Sequence, residues 1–533
     1  MQIDLEQNDV GAELLRSQVC IVGAGVAGLV LAHRLSRQGM DVVLLEAGGD
    51  AIDDRDRQIM AAAQLTGHPH LGTTEGRFRA LGGASLRWGG QLLQPFLEPD
   101  PAWPIEPEEL APYLIEAERL LGVDYLPYTS PDFFAAIGSS VPQLLTELTD
   151  LDASLSKWTP FARRNLAHTL GSDLVSHPQV RIFLHAQVVE VLLAASRSRV
   201  LAVLVRTKSG ETLRFEAGHF ILAAGTVETS RLLLASRSVV PAGVGNDSDQ
   251  VGRNFHDHLT LPAATITGAA RTRLLHELRP WVRGTTLHSV KLSPASQLRD
   301  RLSLNPIVAH LTLEEFEGSG LAVVRELLTA LQHGDLRAAL SIHAVHLPAA
   351  ALDALRLGWS AAMQRRRFVA PSTSVKLYLN VAQDTPSRSR ITLSPQLDSF
   401  GLPQALIDWS ITPNELQSLS NFATYLREHL PERGIQWLPG VFSPDSPVQG
   451  LMLSRIQDAR HAMGGACLGT DPRSSVVDPN LTVHGIDNLS IAGAATFPTG
   501  SPPLPALPLM ALSLRLAEHV AARLTKHPNI ATS

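Results

Sequence analysis

The chain has 533 residues, 44% of them hydrophobic, 18% charged and only 5% aromatic. This is the composition of a globular protein long enough for two domains, not of a disordered or fibrous chain. A formal net charge of -6 gives no basic footprint for nucleic acid, and two cysteines, Cys20 and Cys467, cannot form a disulfide framework. The first residues, MQIDLEQNDVGAELLRS, contain neither a basic n-region nor an apolar h-region. No stretch of about 18 uninterrupted apolar residues occurs. A chain without a secretory signal or membrane span, located in the cytoplasm, is expected.

The first organised stretch is QVCIVGAGVAGLVLAHRLSRQGMDVVLLEAGG, Gln18 to Gly49. Gln18 to Val22 is apolar and β-branched, as a buried parallel strand requires. Gly23, Gly25 and Gly28 follow in GxGxxG spacing. The first allows a tight turn, the second lets a pyrophosphate approach the backbone, and the third lets helix and strand pack closely. The helix that follows aims its N-terminal N–H groups at the phosphates. A second strand, Asp41 to Leu45, ends in Glu46, where a carboxylate can accept hydrogen bonds from a ribose. NAD and FAD carry the same ADP half, so this unit alone leaves both open.

Residues 50 to 80 are polar and expected to form loops; His68 and His70 lie close together but lack the cysteine or acidic companions of a metal site. Arg79 to Gly90, RALGGASLRWGG, is a second glycine-rich segment able to lay backbone against a flat ligand. Trp103-Pro104 opens a helical stretch, PEELAPYLIEAERLLGV. Val180 to Leu222 reads as strands with a hairpin, and the last of them runs through Gly225 into the helix TVETSRLLLAS. After VGRNFHDH, where His256 and His258 are each open to a catalytic or a structural role, residues 313 to 368 look helical. Leu321, Val324, Leu328 and Leu331 form one stripe there, and a packed helix with a basic end is favoured over a membrane-surface helix.

From Ser374 the period becomes two. Val375, Leu377, Leu379 and Val381 share one face, expected to carry the helices of 313–368. Lys376, Tyr378 and Asn380 share the other, with Tyr378 and Asn380 expected on the substrate side. RITLS (390–394) and QALIDWSI (404–411) are expected to continue the same antiparallel sheet. The C-terminal quarter brings His461 in HAMGGACLG, the apolar strand NLSIAGA, a proline-rich turn and a closing helix, LMALSLRLAEHVAARL.

Taken together, GAGVAG with Glu46, LGGASLRWGG, WPIEPEELAPYLIEAERLLGV, FILAAGTVETSRLLLAS, VGRNFHDH and the segment from His461 to Leu516 resemble the glucose–methanol–choline (GMC) oxidoreductases in their shorter bacterial form. The resemblance implies FAD rather than NAD. It implies an α/β fold, with a Rossmann-like FAD-binding domain assembled from residues 1–96, 170–258 and 450–533. Residues 97–169 and 259–449 would form a substrate domain of antiparallel sheet and helices.

By the same resemblance, Glu46 binds the adenosine ribose and Val188 the adenine. Gly83, Ser85 and Trp88 lie along the pyrophosphate and flavin, and Ala224, Gly225, Gly493, Ala494 and Pro505 complete the cofactor cradle. Some members attach FAD through a histidine where this chain has Arg87, so FAD is expected to be non-covalent. His461 matches the family's active-site histidine. Its usual Asn or His partner is replaced by Leu504, which can neither donate nor accept a hydrogen bond, so the pocket beside His461 is expected to be apolar. Cys467-Leu468 stands where Arg-Met is usual.

The implied activity is oxidation of a CH–OH group in an alcohol, sugar or similar small molecule, with hydride passing to FAD and His461 as general base. Whether oxygen or another carrier takes the electrons is left open. Two other readings share the scaffold: non-alcohol flavin chemistry (photodecarboxylase-like, lyase-like or desaturating), or a weakly active flavin-binding protein.

Overall fold

The computed structural model describes residues 1–533 apart from 9, 95–99, 334–339, 341–343, 431–433, 440, 443–448, 501–503 and 527–533. Its nucleotide sheet grows outward from the strand Arg16–Val22, whose inner residues are fully buried. Parallel neighbours are Val42–Leu45 on one side and Thr212–Leu222 on the other. Beyond Val42–Leu45 lie Val180–Leu184 and Gln2–Asp4, and Leu489–Ile491 pairs with the far side of Thr212–Leu222. The hairpin Gln187–Leu193 and Val200–Arg206 joins the same sheet antiparallel. Helix Val26–Arg37 crosses between the first two strands, as a right-handed βαβ unit does. The C-terminal helix Ala506–Lys526 packs against it and against Pro107–Leu121.

A second, antiparallel sheet runs Ile435–Trp437, His258–Ile266, Ser374–Ala382, Ile307–Glu314, Thr286–Pro294, Leu151–Trp158, Gln91–Leu92. In Ser374–Ala382 the alternation is as the sequence dictates: Val375, Leu377, Leu379 and Val381 are buried, while Lys376, Tyr378 and Asn380 are half-buried on the other face. The apolar face does not carry the helices of 313–368. It joins a core with Leu416, Leu419, Phe422 and Leu426 of helix Pro413–His429, a helix begun by a capping box of Thr412 and Glu415.

The helical expectation for 313–368 is met by Gly320–His333 and Leu347–Trp359, which pack on each other; 334–339 and 341–343 fall outside the described residues. The stripe does not stay packed. Leu321 is buried, but Leu328 and Leu331 are exposed, as are Leu352, Leu355, Trp359 and Met363. Among the described residues no helix is long and apolar enough to cross a membrane.

Two further expectations are corrected. Residues 50–80 are not all loop: Asp53 caps the helix Asp54–Ala61 by accepting the Asp56 N–H, and Gln64–Gly67 is a strand. Arg390–Leu397 and Pro403–Trp409 do not extend the antiparallel sheet. They form a separate three-stranded sheet whose parallel edge is Gln64–Gly67. The expected domain boundaries are crossed in the same way. Gln91–Leu92 and Gln457–Asp458 pair with the second sheet, while Pro107–Leu121 buries Leu110, Ala117 and Leu121 in the core of the first.

Candidate functional site

A cavity of about 670 Å³ runs along the carboxyl ends of the nucleotide strands and ends beneath the second sheet, where ligands bind in open α/β folds. The glycine-rich turn opens it. Gly23 has φ +101°, and a Cβ on Gly28 would lie 1.9 Å from the Gly23 carbonyl oxygen, so helix Val26–Arg37 can sit on its strand only with glycine there. Gly28 does this packing without lining the cavity. Gly25, Gly225 and Gly493 do line it, and a Cβ on any of them would project into open space. That space, at the N-terminus of a helix of 12 residues, suits a pyrophosphate.

Glu46 lines the same end. Its Oε2 accepts the Ala24 N–H and its Oε1 the Gly48 N–H, both at 2.9 Å. Burial raises this carboxyl above the usual carboxylate range, against those two bonds. Val188 lies nearby, and Gly83, Trp88, Ala224, Ala494 and Pro505 continue the wall. Trp88 is fixed by donating from Nε1 to the Arg164 carbonyl at 2.7 Å. Ser85 does not reach the cavity, and that expectation is revised. The short turn Gly83–Leu86 points its hydroxyl inward, where it donates to the Gly82 carbonyl and accepts the Leu166 N–H.

At the far end His461 lines the cavity with Leu504. The polar partner of His461 comes from the HDH motif and not from the position of Leu504. His461 Nδ1 lies 3.2 Å from His258 Nδ1, and His258 Nε2 contacts the Gly500 carbonyl. A carbonyl only accepts, so His258 carries its proton on Nε2 and its Nδ1 accepts from His461 Nδ1–H. This assignment follows from the network. It leaves the lone pair of His461 on Nε2, the ring nitrogen available to the cavity. Burial, followed by the neighbouring His258, pushes the His461 imidazole down to about 4, against the pull of Asp257. The ring is therefore neutral, a base, at pH 7.

Asp257, fully buried, holds this pair by the backbone. Its Oδ2 accepts the His461 N–H at 2.8 Å and its Oδ1 the His258 N–H at 2.6 Å, with His70 Nε2 3.2 Å from Oδ2. Burial works to raise its carboxyl, and the surrounding imidazoles, His70 foremost, outweigh it and leave the group below the usual range. Asp458 binds the Leu71, Gly72 and Arg460 N–H groups in the same manner. His256 turns away from the cavity, its Nδ1 on the Asn254 carbonyl at 2.7 Å.

The fold agrees with what known proteins show. Residues 159–260 and 385–513 match the N- and C-terminal parts of the GMC oxidoreductases, and residues 21–62 match an NAD(P)-binding Rossmann-like domain. The chain belongs to the GMC oxidoreductase family. Members of this family are FAD-dependent oxidoreductases. Among curated relatives, 6'''-hydroxyparomomycin C oxidase of Streptomyces lividus is 24% identical over 96% of this chain and 93% of its own length. The fructose dehydrogenase large subunit of Gluconobacter japonicus is 23% identical over 95% and 98%. Two solved structures share the fold. Formate oxidase of Aspergillus oryzae has a TM-score of 0.61 at 15% identity, covering 97% of this chain and 99% of that one. A fungal aryl-alcohol oxidase gives 0.60 at 16%, covering 96% and 99%.

Several features escaped the sequence reading. Tyr378 and Asn380 part company: Asn380 lines the cavity, whereas Tyr378 donates its hydroxyl to Glu314 at 2.7 Å and stacks behind His310. The part of the lining that the second sheet supplies is polar, made by Thr260, Lys291 and His310 together with Asn380. The pocket is thus not apolar throughout. His258 was visible in HDH, but its pairing with His461 was not.

Proposed function

We propose that this chain binds FAD non-covalently and oxidises a CH–OH group of a small molecule, with His461 as the general base. The open glycine cradle of Gly25, Gly225 and Gly493, with Glu46 and Val188 at the adenosine end, supports FAD as the occupant. Arg87 is exposed and does not line the cavity, which supports non-covalent attachment. When bound, FAD supplies the acceptor for a hydride leaving the substrate carbon.

The observation that carries the proposal is the bond chain from Gly500 through His258 to His461. It supports Nε2 as the free base. As the C–H bond breaks, Nε2 takes the hydroxyl proton. Nδ1–H keeps its bond to His258, and Asp257 offsets the new positive charge. Leu504 and Leu509 add hydrocarbon to the cavity lining, which limits water in the cavity. His461→Ala should retain FAD and its spectrum, while anaerobic flavin reduction by the best donor slows about 10²–10⁴-fold, the contribution of general acid–base catalysis. Reduction at the wild-type rate would end this mechanism.

A further inference from the structure

The second sheet brings to the cavity polar groups that the oxidation itself does not use. Lys291 and His310 flank the Leu292–Ala309 pair of adjacent strands, and Asn380 pairs with Thr260 one strand further on. All four line the cavity. His310 Nδ1, Asn380 Oδ1 and Thr260 Oγ1 are buried without a hydrogen-bond partner among the described residues. Lys291 is 5% exposed. Buried polar groups in folded proteins are nearly always satisfied, so three unpartnered atoms beside the buried Lys291 mark a place for a ligand.

Their chemistry specifies which ligand. An ammonium has three donors and no acceptor, a threonine hydroxyl can donate, and the Asn380 amide carries an NH₂ group that can donate. A donor set of this kind calls for a group that only accepts. Burial alone pushes the Lys291 ammonium down to about 7, with no carboxylate among the described residues acting to hold it up. His310 is driven far below its usual range by burial and by Lys291, so it adds no second positive charge. One cation matches one negative charge. The field of Lys291 also reaches His461, and both residues line the same cavity.

We propose that Lys291, His310, Asn380 and Thr260 form a carboxylate-binding subsite, and that the donor oxidised here is a carboxylate-bearing alcohol, a hydroxy acid. This deepens the reading of the cavity as the oxidation site and rests on it. Lys291 binds the carboxylate by charge-assisted hydrogen bonds while the hydroxyl carbon lies toward His461.

The test uses the flavin-loaded enzyme. Benzoate and propanoate are titrated against benzamide and propanamide, reading perturbation of the bound flavin's visible spectrum, which needs no turnover. The acids should bind about 10- to 100-fold more tightly than the amides, the worth of a hydrogen bond to a charged group. In Lys291→Met, of equal length and with its flavin spectrum intact, the preference should vanish, and Lys291→Arg should restore part of it. Amides binding as well as acids to the wild type would overturn the proposal, as would tighter binding of inorganic phosphate. In a second arm, hydroxy acids should reduce the flavin anaerobically at lower KM than the corresponding hydroxy amides. If no alcohol reduces the flavin yet acids still bind through Lys291, the oxidation reading falls and the subsite stands. If uncharged alcohols reduce it and acids do not bind, the subsite falls alone.

Discussion

Replacing His258 with leucine tests the imidazole pair without touching the proposed base. The bond between His461 Nδ1 and His258 Nδ1, at 3.2 Å, selects the tautomer whose Nε2 is free. A hydrogen bond of this kind contributes about 0.5–1.5 kcal/mol net, or about 2- to 12-fold in tautomer population. The ring also loses its lateral hold, and an ångström of misplacement costs up to about 10²-fold. Anaerobic stopped-flow reduction of the flavin should therefore slow about 10- to 100-fold. His258→Asn, whose Oδ1 can stand near the lost Nδ1, should recover part of the rate. The Gly500 carbonyl loses its donor in His258→Leu, costing about 1–3 kcal/mol of stability, which thermal unfolding measures separately. Flavin reduction at the wild-type rate in His258→Leu would show that the pair does not set the base, and the argument from tautomers would fail.

Three other outcomes are expected. Gly28→Ala places a Cβ 1.9 Å from the Gly23 carbonyl oxygen, so it should lower stability by about 1–3 kcal/mol or more and reduce the flavin-to-protein absorbance ratio after purification. Acid precipitation should leave the yellow colour in the supernatant; colour in the pellet would refute non-covalent FAD. The pH profile of kcat/KM should show two limbs for carboxylate donors. It falls below about 4, where His461 becomes protonated, and above about 7, where Lys291 loses the proton that binds the acid. His310 and His461, the titratable groups facing Lys291, are both neutral across that range. Uncharged alcohols should show only the acid limb.

The nucleotide unit was legible because its signals are local. Gly23, Gly25 and Gly28 sit within one turn of the strand and helix they join, and Glu46 ends the next strand. The same holds for the alternation of Val375 to Val381, where period two is written in nine consecutive residues. What the alternation faces was not legible, since helix Pro413–His429 reaches it from far along the chain. Strand partners escaped for the same reason: Gln64–Gly67 finds its neighbour in Pro403–Trp409. The polar wall is the costliest omission. Lys291 lies between Val290 and Leu292 in TLHSVKLSP, and a lysine flanked by two apolar residues inside a strand was a signal of a buried cation. Only the register of four distant strands brings it to His310, Asn380 and Thr260.

The route of the chain through the nucleotide sheet bears on how the protein is made. Thr212–Leu222 lies beside Arg16–Val22 early in synthesis, but its other edge stays open until Leu489–Ile491 arrives. Helix Val26–Arg37 likewise waits for its covering helix, Ala506–Lys526. While the ribosome works through the intervening segments, an apolar helix face and a bare strand edge are exposed, the features that draw nascent chains into aggregation. Gly493 also comes late, so the cofactor cradle is incomplete for most of translation. Loading of the dinucleotide is therefore a late event, and the wait for it is the interval in which chaperones have the most to protect.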